Sequence, residues 1–398
     1  MKIGIIGLGT VGEGVLKILT LEKDNLKFKS NTDLEVKYAC DLSINKDFSF
    51  EFDKSILTTD YKKIISDPEI DIIVELIGGE SIAKTIILEA LNNKKHVVSA
   101  NKALVAKHGT ELITAAKNNN CLFLYEAAVG GGIPIITPLV ENLIANTITE
   151  IRGIVNGTSN YILTKMKEDS LDFEEALHLA SQMGYAEADP SYDVDGIDSG
   201  HKIVILSSLA YGGNINFNEI YMQGIRNISL IDIFEAEKLG YSVKLVASSK
   251  INKDNLIEIS AEPVLLKNDR ILSNVNDVFN AIEVTGNYTG KTLFYGKGAG
   301  MEPTASAVIS DIVKIAANSV VSSNFFFNTE NSLKTIDTNT LEHEFYIRIS
   351  KDFNIEKSDI ELYKEIDNYY ILIAENISRN ELNEIFKDVN EKLIMKII

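Results

Sequence analysis

The chain has 398 residues, of which 45% are hydrophobic and 24% charged, and its formal net charge at pH 7 is −18. This length predicts two or three domains, and the composition is typical of a soluble globular protein. The negative charge, with no dense run of Lys or Arg to offset it, argues against nucleic acids and membrane surfaces as partners and favours small molecules.

The N-terminal residues predict a buried strand that turns directly into a helix. Residues 1–6 are mostly apolar, residues 7–12 read GLGTVG, and an amphipathic stripe follows. This is the dinucleotide-binding fingerprint, in which Gly7 makes the tight turn, Gly9 admits a pyrophosphate and Gly12 permits close helix packing. The helix N-terminus then faces the phosphates. The predicted cofactor-binding residues of this loop are Gly7, Gly9, Thr10, Val11 and Gly12.

Two features predict a cytoplasmic protein. The N-terminal apolar run is accounted for by this strand and not by a signal peptide, and no stretch of 18 residues is apolar enough for a membrane span.

The two cysteines, Cys40 and Cys121, lie in apolar strand-like segments without a nearby Cys or His at metal-ligand spacing. They are therefore expected to be reduced core residues.

A polar stretch, residues 23–33, separates the first helix from a second predicted strand, residues 34–40, which ends in Asp41. An acidic residue at this strand tip accepts hydrogen bonds from a ribose 2′-hydroxyl and favours NAD over NADP. Asp is also a common first residue of turns. The sequence leaves both interpretations of Asp41 open.

Strands and helices then alternate. The predicted strands are residues 70–77, 96–99 and 121–125, with helices over 81–92 and up to 118. This alternation predicts an α/β fold with a doubly wound parallel sheet, a Rossmann dinucleotide-binding domain, over residues 1–130. Ligands of such sheets bind outside the carboxyl ends of the strands, where Lys102 lies. A helix over 304–320 is expected to return to this domain, which residues 300–325 complete.

The rest of the chain lacks this strict alternation. Longer strands, such as 148–155 and 241–249, mixed with helices predict an α+β catalytic and dimerisation domain over residues 131–299. Residues 341–398 predict a small α+β C-terminal module, with strands at 345–349, 360–364 and 369–374, a helix over 379–392 and a final strand.

The densest cluster of carboxylates, residues 184–198, directly precedes a strongly apolar helix, residues 203–210. Asp198 and Lys202, four residues apart, share one face of that helix. An exposed ion pair would explain the spacing, but charges on an apolar helix are costly to bury, which favours a functional site. His201 is expected to point away from this face as a structural residue.

Two lysines, Lys102 and Lys202, and two acids, Glu187 and Asp198, suit a small zwitterion beside a carbonyl or hydroxyl. The acids would hold an ammonium while a lysine serves the reacting oxygen. This is the chemistry of an amino-acid dehydrogenase.

Five motifs, read in order, make the chain similar to a known family. They are Gly7–Gly12, SANKA at 99–103, EAAVGGGIP at 126–134, GIVNGTSNY at 153–161 and the segment 184–202. Over residues 1–325 the sequence resembles homoserine dehydrogenase. The resemblance implies reversible NAD(P)-dependent interconversion of L-aspartate 4-semialdehyde and L-homoserine, in threonine, methionine and isoleucine biosynthesis, by a homodimer joined through the second domain. No phosphoryl-transfer motif is present, so a monofunctional enzyme is expected.

The resemblance also implies residue roles. Lys202 is the acid/base at the reacting oxygen, Lys102 supports proton transfer and contacts the cofactor, and Glu187 and Asp198 bind the substrate. Burial and a neighbouring positive charge are expected to lower the lysine pKa from about 10.4, so that the amine also serves as a base. The remaining predicted cofactor-binding residues are Gly184 and Gly300.

In the resembling enzymes the glycine-rich loop after Glu126 binds a monovalent cation. The implied ligands are the Glu126 side chain or carbonyl and the carbonyls of Val129, Gly131 and Ile133, and hard oxygen ligands suit sodium. A flexible connector between domains is the alternative interpretation.

The chain departs from the family in two places. The C-terminal module resembles an ACT module but is shortened, because residues 351–354 lack the start of a full first helix; this argues against feedback inhibition by threonine. Relatives that prefer NADP place basic residues near the second strand tip, whereas here Cys40 precedes Asp41 and the next base is Lys46. NAD is therefore predicted to be used at least as well as NADP.

Two other functions are compatible with the dinucleotide-binding fingerprint. One is a different Rossmann-type oxidoreductase of an amino-acid semialdehyde, and the other is a non-catalytic nucleotide-sensing regulator. The spacing of Glu187, Asp198 and Lys202 argues against the first, and the presence of both lysines and both acids argues against the second.

Overall fold

The computed structural model describes residues 1–318, 328–351 and 360–398. The first part of the chain alternates strands and helices as predicted. Its elements are β1 (Lys2–Ile6), α1 (Thr10–Leu21), α2 (Lys23–Ser30), β2 (Glu35–Cys40), β3 (Leu57–Thr58), α3 (Tyr61–Ser66), β4 (Ile72–Glu75), α4 (Ser81–Asn92), β5 (His96–Ser99), α5 (Lys102–Asn118) and β6 (Phe123–Leu124).

The six strands form one parallel sheet in the order β3-β2-β1-β4-β5-β6. The order reverses between β1 and β4, which is the topological switch point where doubly wound sheets bind ligands. The central strands are buried because their side chains are apolar on both faces, as β1 and β4 show. The predicted doubly wound fold is confirmed.

The middle of the chain forms a second, mixed sheet with helices against it. Its elements are β7 (Ile148–Ile154), α6 (Gly157–Glu168), α7 (Phe173–Gln182), α8 (Ser191–Val194), α9 (Ile197–Tyr211), β8 (Gly213–Asn214), β9 (Tyr221–Met222), α10 (Leu230–Lys238), β10 (Tyr241–Ile251), β11 (Leu256–Lys267), β12 (Phe279–Gly286), β13 (Gly290–Lys297) and α11 (Met301–Ala316). Helix α11 packs against α1, which places it beside the first sheet. The predicted end of this helix, residue 320, lies outside the described residues.

The C-terminal segment contains β14 (Asn328–Ser332), β15 (Lys334–Thr335), β16 (Glu342–Ser350), β17 (Ile360–Ile366), β18 (Tyr369–Ser378), α12 (Arg379–Ile385) and β19 (Lys392–Ile397). Strand β19 pairs with β11 in parallel, so the module extends the second sheet, whose main path is β13-β12-β7-β10-β11-β19-β16-β18-β17. A buried ion pair between Arg348 and Asp232, 2.9 Å, ties the module to α10.

Two predicted segments differ in the structure. The polar stretch 23–33 contains helix α2, which is held by one buried apolar residue, Leu26, and ends where Asn31 takes a left-handed conformation. The predicted helix over 379–392 ends at Ile385, because Lys392 already pairs with Ile349 in the final strand. Residues 352–354, whose sequence predicts a shortened first helix in the C-terminal module, lie outside the described residues.

Both cysteines are buried free thiols, as expected. Among the residues that the structure describes, no helix is long and apolar enough to cross a bilayer.

Candidate active site

The glycine-rich loop joins β1 to α1 at the switch point. Gly7 has φ +102, and a Cβ built there would lie 2.5 Å from the carbonyl carbon of Leu76. A Cβ on Gly12 would overlap the Gly7 carbonyl oxygen, whereas one on Gly9 would have no atom within 4 Å. The first and third glycines are therefore required by packing, and the second leaves an open face of the kind a pyrophosphate needs.

Asp41 lies against this loop. Its Oδ2 accepts a hydrogen bond from the Leu8 amide at 2.7 Å, and its Oδ1 accepts one from the Ser43 amide at 3.0 Å. The second contact is the turn that the sequence offered as an alternative, and the first brings the carboxylate to the dinucleotide loop. Both interpretations of Asp41 are thus compatible with one geometry.

A cleft of about 510 Å³ opens at the carboxyl ends of β1, β4 and β5. Its size is within the range of small-molecule sites. Its lining comes from the elements of the first sheet and from the segment between α7 and α9. It includes Val11, Glu75, Gly78, Lys102, Glu187 and Tyr192. The structure therefore brings the N-terminal loop, Lys102 and Glu187 to one cavity.

Lys102 and Lys202 meet on the carboxylate of Asp198. Lys202 Nζ lies 2.7 Å from Asp198 Oδ2, and Lys102 Nζ lies 3.2 Å from Oδ1. The Asp198 side chain is 4% exposed and that of Lys202 10%, whereas that of Lys102 is 40% exposed. Lys202 also donates to the Val155 carbonyl at 2.6 Å. The exposed ion pair that the spacing alone allowed is excluded by this burial.

Local structure explains how the two lysines are presented. Lys102 is the first residue of α5, whose N-terminus is capped by the Asn101 side chain through the Leu104 amide at 3.1 Å. Lys202 lies one turn after Asp198 on α9, a helix that starts after Gly196 in the left-handed conformation. The first turn of α5 and the first two turns of α9, from distant parts of the chain, thus meet at the Asp198 carboxylate.

The charges of this cluster shift its pKa values. Burial by itself would raise the pKa of Asp198, but the ammonium groups of Lys202 and Lys102 hold it well below the usual carboxyl range. The charge of Asp198 raises the pKa of Lys102 against the opposing effect of burial. The lowered lysine pKa expected from the sequence is therefore wrong for Lys102, because a carboxylate and not a second cation is its nearest charge.

Asn156 and Asp193 complete the cluster, and the sequence argument assigned neither a role. Asn156 Nδ2 donates to Asp198 Oδ2 at 2.9 Å and to Asp193 Oδ1 at 2.7 Å. Burial, together with the nearby charge of Asp198, raises the pKa of Asp193. Asn156 and Asp193 belong to two separate sequence motifs, and only the fold shows that these motifs share a site.

Glu75 is a further residue that the sequence argument missed. It ends β4, is fully buried, and accepts hydrogen bonds from Ser99 Oγ at 2.7 Å and from the Ile77 amide at 2.9 Å. Burial raises its pKa. Glu75 joins the loops after β4 and β5 beneath the cleft, and an acidic residue ending an apolar strand was its only sequence signal.

Two predicted cofactor-binding glycines occupy turns. Gly184, with φ +74, follows the end of α7, and Gly300, with φ +119, precedes α11. Neither is among the residues that line the cleft.

His201 is buried and its ring stacks on Phe217 with a centroid distance of 4.3 Å. Within the described residues neither ring nitrogen has a hydrogen-bond partner. Burial, with a contribution from Lys107, lowers its pKa to about 4. A neutral stacked ring is what the structural interpretation requires.

The loop after Glu126 is buried, and backbone amides already bind the Glu126 carboxylate. The Glu126 carboxylate accepts hydrogen bonds from the amides of residues 135, 136 and 137 at 2.7–2.8 Å. Its side chain is therefore already satisfied. The carbonyls of Val129, Gly131 and Ile133 accept no backbone hydrogen bond from any described residue, so carbonyl ligation stays open.

A six-stranded Rossmann sheet with a glycine-rich loop at its switch point, and a lysine–carboxylate–lysine cluster beside it, define a dinucleotide-dependent oxidoreductase. Comparison with known proteins identifies which one. The family model "Homoserine dehydrogenase, NAD binding domain" matches residues 7–126, and "Homoserine dehydrogenase" matches residues 134–313. The chain belongs to the homoserine dehydrogenase family.

Individual relatives agree with this assignment. Homoserine dehydrogenase of Synechocystis sp. is 45% identical over 79% of this chain and 73% of its own length, and that of Bacillus subtilis is 41% identical over 80% and 73%. The solved homoserine dehydrogenase of Thiobacillus denitrificans superposes with a TM-score of 0.89 at 33% identity, over 100% of this chain and 98% of that one. A hyperthermophilic archaeal homoserine dehydrogenase mutant, solved with NADPH, has a TM-score of 0.64 at 28% identity, over 81% and 98%.

Proposed function

We propose that the chain interconverts L-aspartate 4-semialdehyde and L-homoserine with a nicotinamide dinucleotide. The observation that carries the proposal is the convergence on buried Asp198 of Lys202 and of Lys102, which lines the cleft together with Val11. The family assignment argues against an oxidoreductase of a different semialdehyde, and the complete lysine–carboxylate–lysine cluster argues against a non-catalytic sensor.

Each residue of the cluster has a distinct role in the proposed reaction. Lys202 holds a proton next to the reacting oxygen and donates it as that oxygen becomes an alkoxide; in the reverse direction it takes the proton back. Lys102 adds positive charge at the same place, which stabilises the alkoxide. Asp198 orients both ammonium groups, and Asn156 orients Asp198.

Substrate and cofactor contacts complete the proposal. Glu187, exposed at the cleft, would hold the substrate ammonium with Asp198. Gly7, Gly9, Thr10, Val11, Gly12, Gly184 and Gly300 would hold the dinucleotide, and the open face at Gly9 fits this group. When bound, the nicotinamide supplies or accepts the hydride at the substrate carbon.

The chain is proposed to accept NAD at least as well as NADP, because Asp41 provides the acceptor for a ribose hydroxyl. The NADPH-bound relative supports NADP as a second cofactor.

Sodium is proposed at the carbonyls of Val129, Gly131 and Ile133. A fall in melting temperature when NaCl is replaced by tetramethylammonium chloride at equal ionic strength would support this site, and no change would contradict it.

The assembly and domain limits also belong to the proposal. The chain is expected to be a cytoplasmic homodimer joined through residues 131–299, with residues 1–130 and 300–325 as the dinucleotide-binding domain and 341–398 as a shortened ACT-like module. The pairing of β19 with β11 supports a module that is fixed to the catalytic part.

The proposal is tested by following NADH and NADPH absorbance with homoserine as substrate. Lys202→Ala should lower kcat by about 10²–10⁴, the usual contribution of a general acid/base. Lys95→Ala is the matched control, because Lys95 is also buried and donates to two backbone carbonyls, at 2.6 and 2.9 Å, away from the cleft. Equal losses in both variants, or no turnover of homoserine by the native chain, would contradict the proposal.

A further inference from the structure

A second charged group lies at the strand tip that carries Asp41. The Lys46 ammonium donates a hydrogen bond to the Leu8 carbonyl and lies 3.1 Å from Glu13 Oε2. The amide of the same Leu8 donates to Asp41. The loop residue between Gly7 and Gly9 is therefore held by an acid on its amide side and by a base on its carbonyl side.

These two groups favour different cofactors. An acid at this place accepts from a ribose 2′-hydroxyl, and a nearby base accommodates a 2′-phosphate. This chain has both, but the charge of Lys46 is paired with Glu13. Glu13 is itself held in place, because its Oε1 accepts from the Ser49 amide at 3.2 Å and from Ser49 Oγ at 3.1 Å.

We propose that Glu13 is a positioning residue for cofactor choice: by pairing with Lys46 it keeps this ammonium from a 2′-phosphate and so favours NAD. This inference rests on the proposed function for the identity of the cofactor, and it concerns only the discrimination between the two dinucleotides.

A purely structural role for Glu13 is the competing explanation, since the residue also ties the loop of residues 46–49 to α1. Glu13→Gln separates the two roles. A glutamine keeps a carbonyl oxygen for the two Ser49 hydrogen bonds but loses the charge that pairs with Lys46. A structural role would survive this change, and a role in cofactor choice would not.

The experiment titrates the full chain with NADH and NADPH, following the fluorescence of the bound cofactor. Glu13→Gln should tighten NADPH binding by about tenfold while NADH binding changes by less than about twofold. The gain should vanish in the double variant with Lys46→Met. Glu111→Gln is the matched control, because Glu111 pairs with Lys84 at 2.6 Å on α4 and α5, and it should change neither affinity.

Equal changes for both cofactors in Glu13→Gln, or a gain for NADPH that persists without Lys46, would overturn the inference. These readings need no substrate. An enzyme that binds both dinucleotides with the predicted ratios but does not oxidise homoserine would refute the proposed function and leave the role of Glu13 intact.

Discussion

Asp198→Asn is the change that tests the centre of the site, because it removes one charge and almost no volume. Lys202 determines the cost, since its side chain is 10% exposed, whereas that of Lys102 is 40% exposed and can be hydrated. Removing one partner of a buried ion pair costs roughly 3–5 kcal/mol. The hydrogen bond that Lys202 keeps to Val155 offsets about 1 kcal/mol of this, which leaves a loss of about 2–4 kcal/mol.

The variant should also change the pH dependence of stability. The unfolded chain protonates Asp198 near the ordinary pKa of ~3.9, whereas the folded chain does so only at lower pH. The carboxylate therefore contributes its full stability above that ordinary pKa and loses it as the pH falls towards the folded pKa. Native protein should lose this contribution on acidification, and Asp198→Asn should lack that part of the acid slope.

Melting curves and homoserine oxidation measure both effects, with Asp232→Asn as control. Asp232 is fully buried and pairs with Arg348 at 2.9 Å between α10 and the C-terminal module, and it is not among the residues that line the cleft. Both variants should melt roughly 2–5 °C lower, but only Asp198→Asn should lose about 10²–10⁴ in kcat. If the control loses as much activity, the cluster is merely structural and the reasoning fails.

Further predictions concern the dinucleotide loop and the buried histidine. Gly12→Ala should lower the melting temperature and abolish NADH binding, because its Cβ would overlap the Gly7 carbonyl oxygen. Gly9→Ala should melt like the native chain and lose only affinity for NADH. A normal NADH titration of Gly9→Ala would contradict the assignment. His201→Phe should keep kcat within about threefold and leave the pH dependence of kcat between pH 5 and 8 unchanged, because burial lowers the pKa of His201 to about 4. A hundredfold loss of kcat at neutral pH would instead show that this ring takes part in proton transfer.

Local sequence was sufficient for the start of the first sheet. An apolar strand, three spaced glycines and a periodic stripe each act over a few residues, so β1, the loop and α1 could be predicted without tertiary contacts. The helix α2 and the end of α12 could not. Their limits depend on a single buried contact and on competition with a strand, neither of which leaves a periodic signal.

The fold class could be predicted from the alternation of strands and helices over residues 1–130. The dinucleotide loop and the pair formed by Asp198 and Lys202 could be predicted because each depends on spacing within one turn or one helix. Three contacts could not be predicted from the sequence: Lys102 shares the Asp198 carboxylate, Asn156 joins this carboxylate to Asp193, and Glu13 holds Lys46. These contacts connect residues 33 to 96 positions apart, and only the packing of the elements brings such groups within hydrogen-bond distance. The pKa of Lys102 moves in the direction opposite to that expected for the same reason: the sign of a shift depends on which charge lies nearest in space.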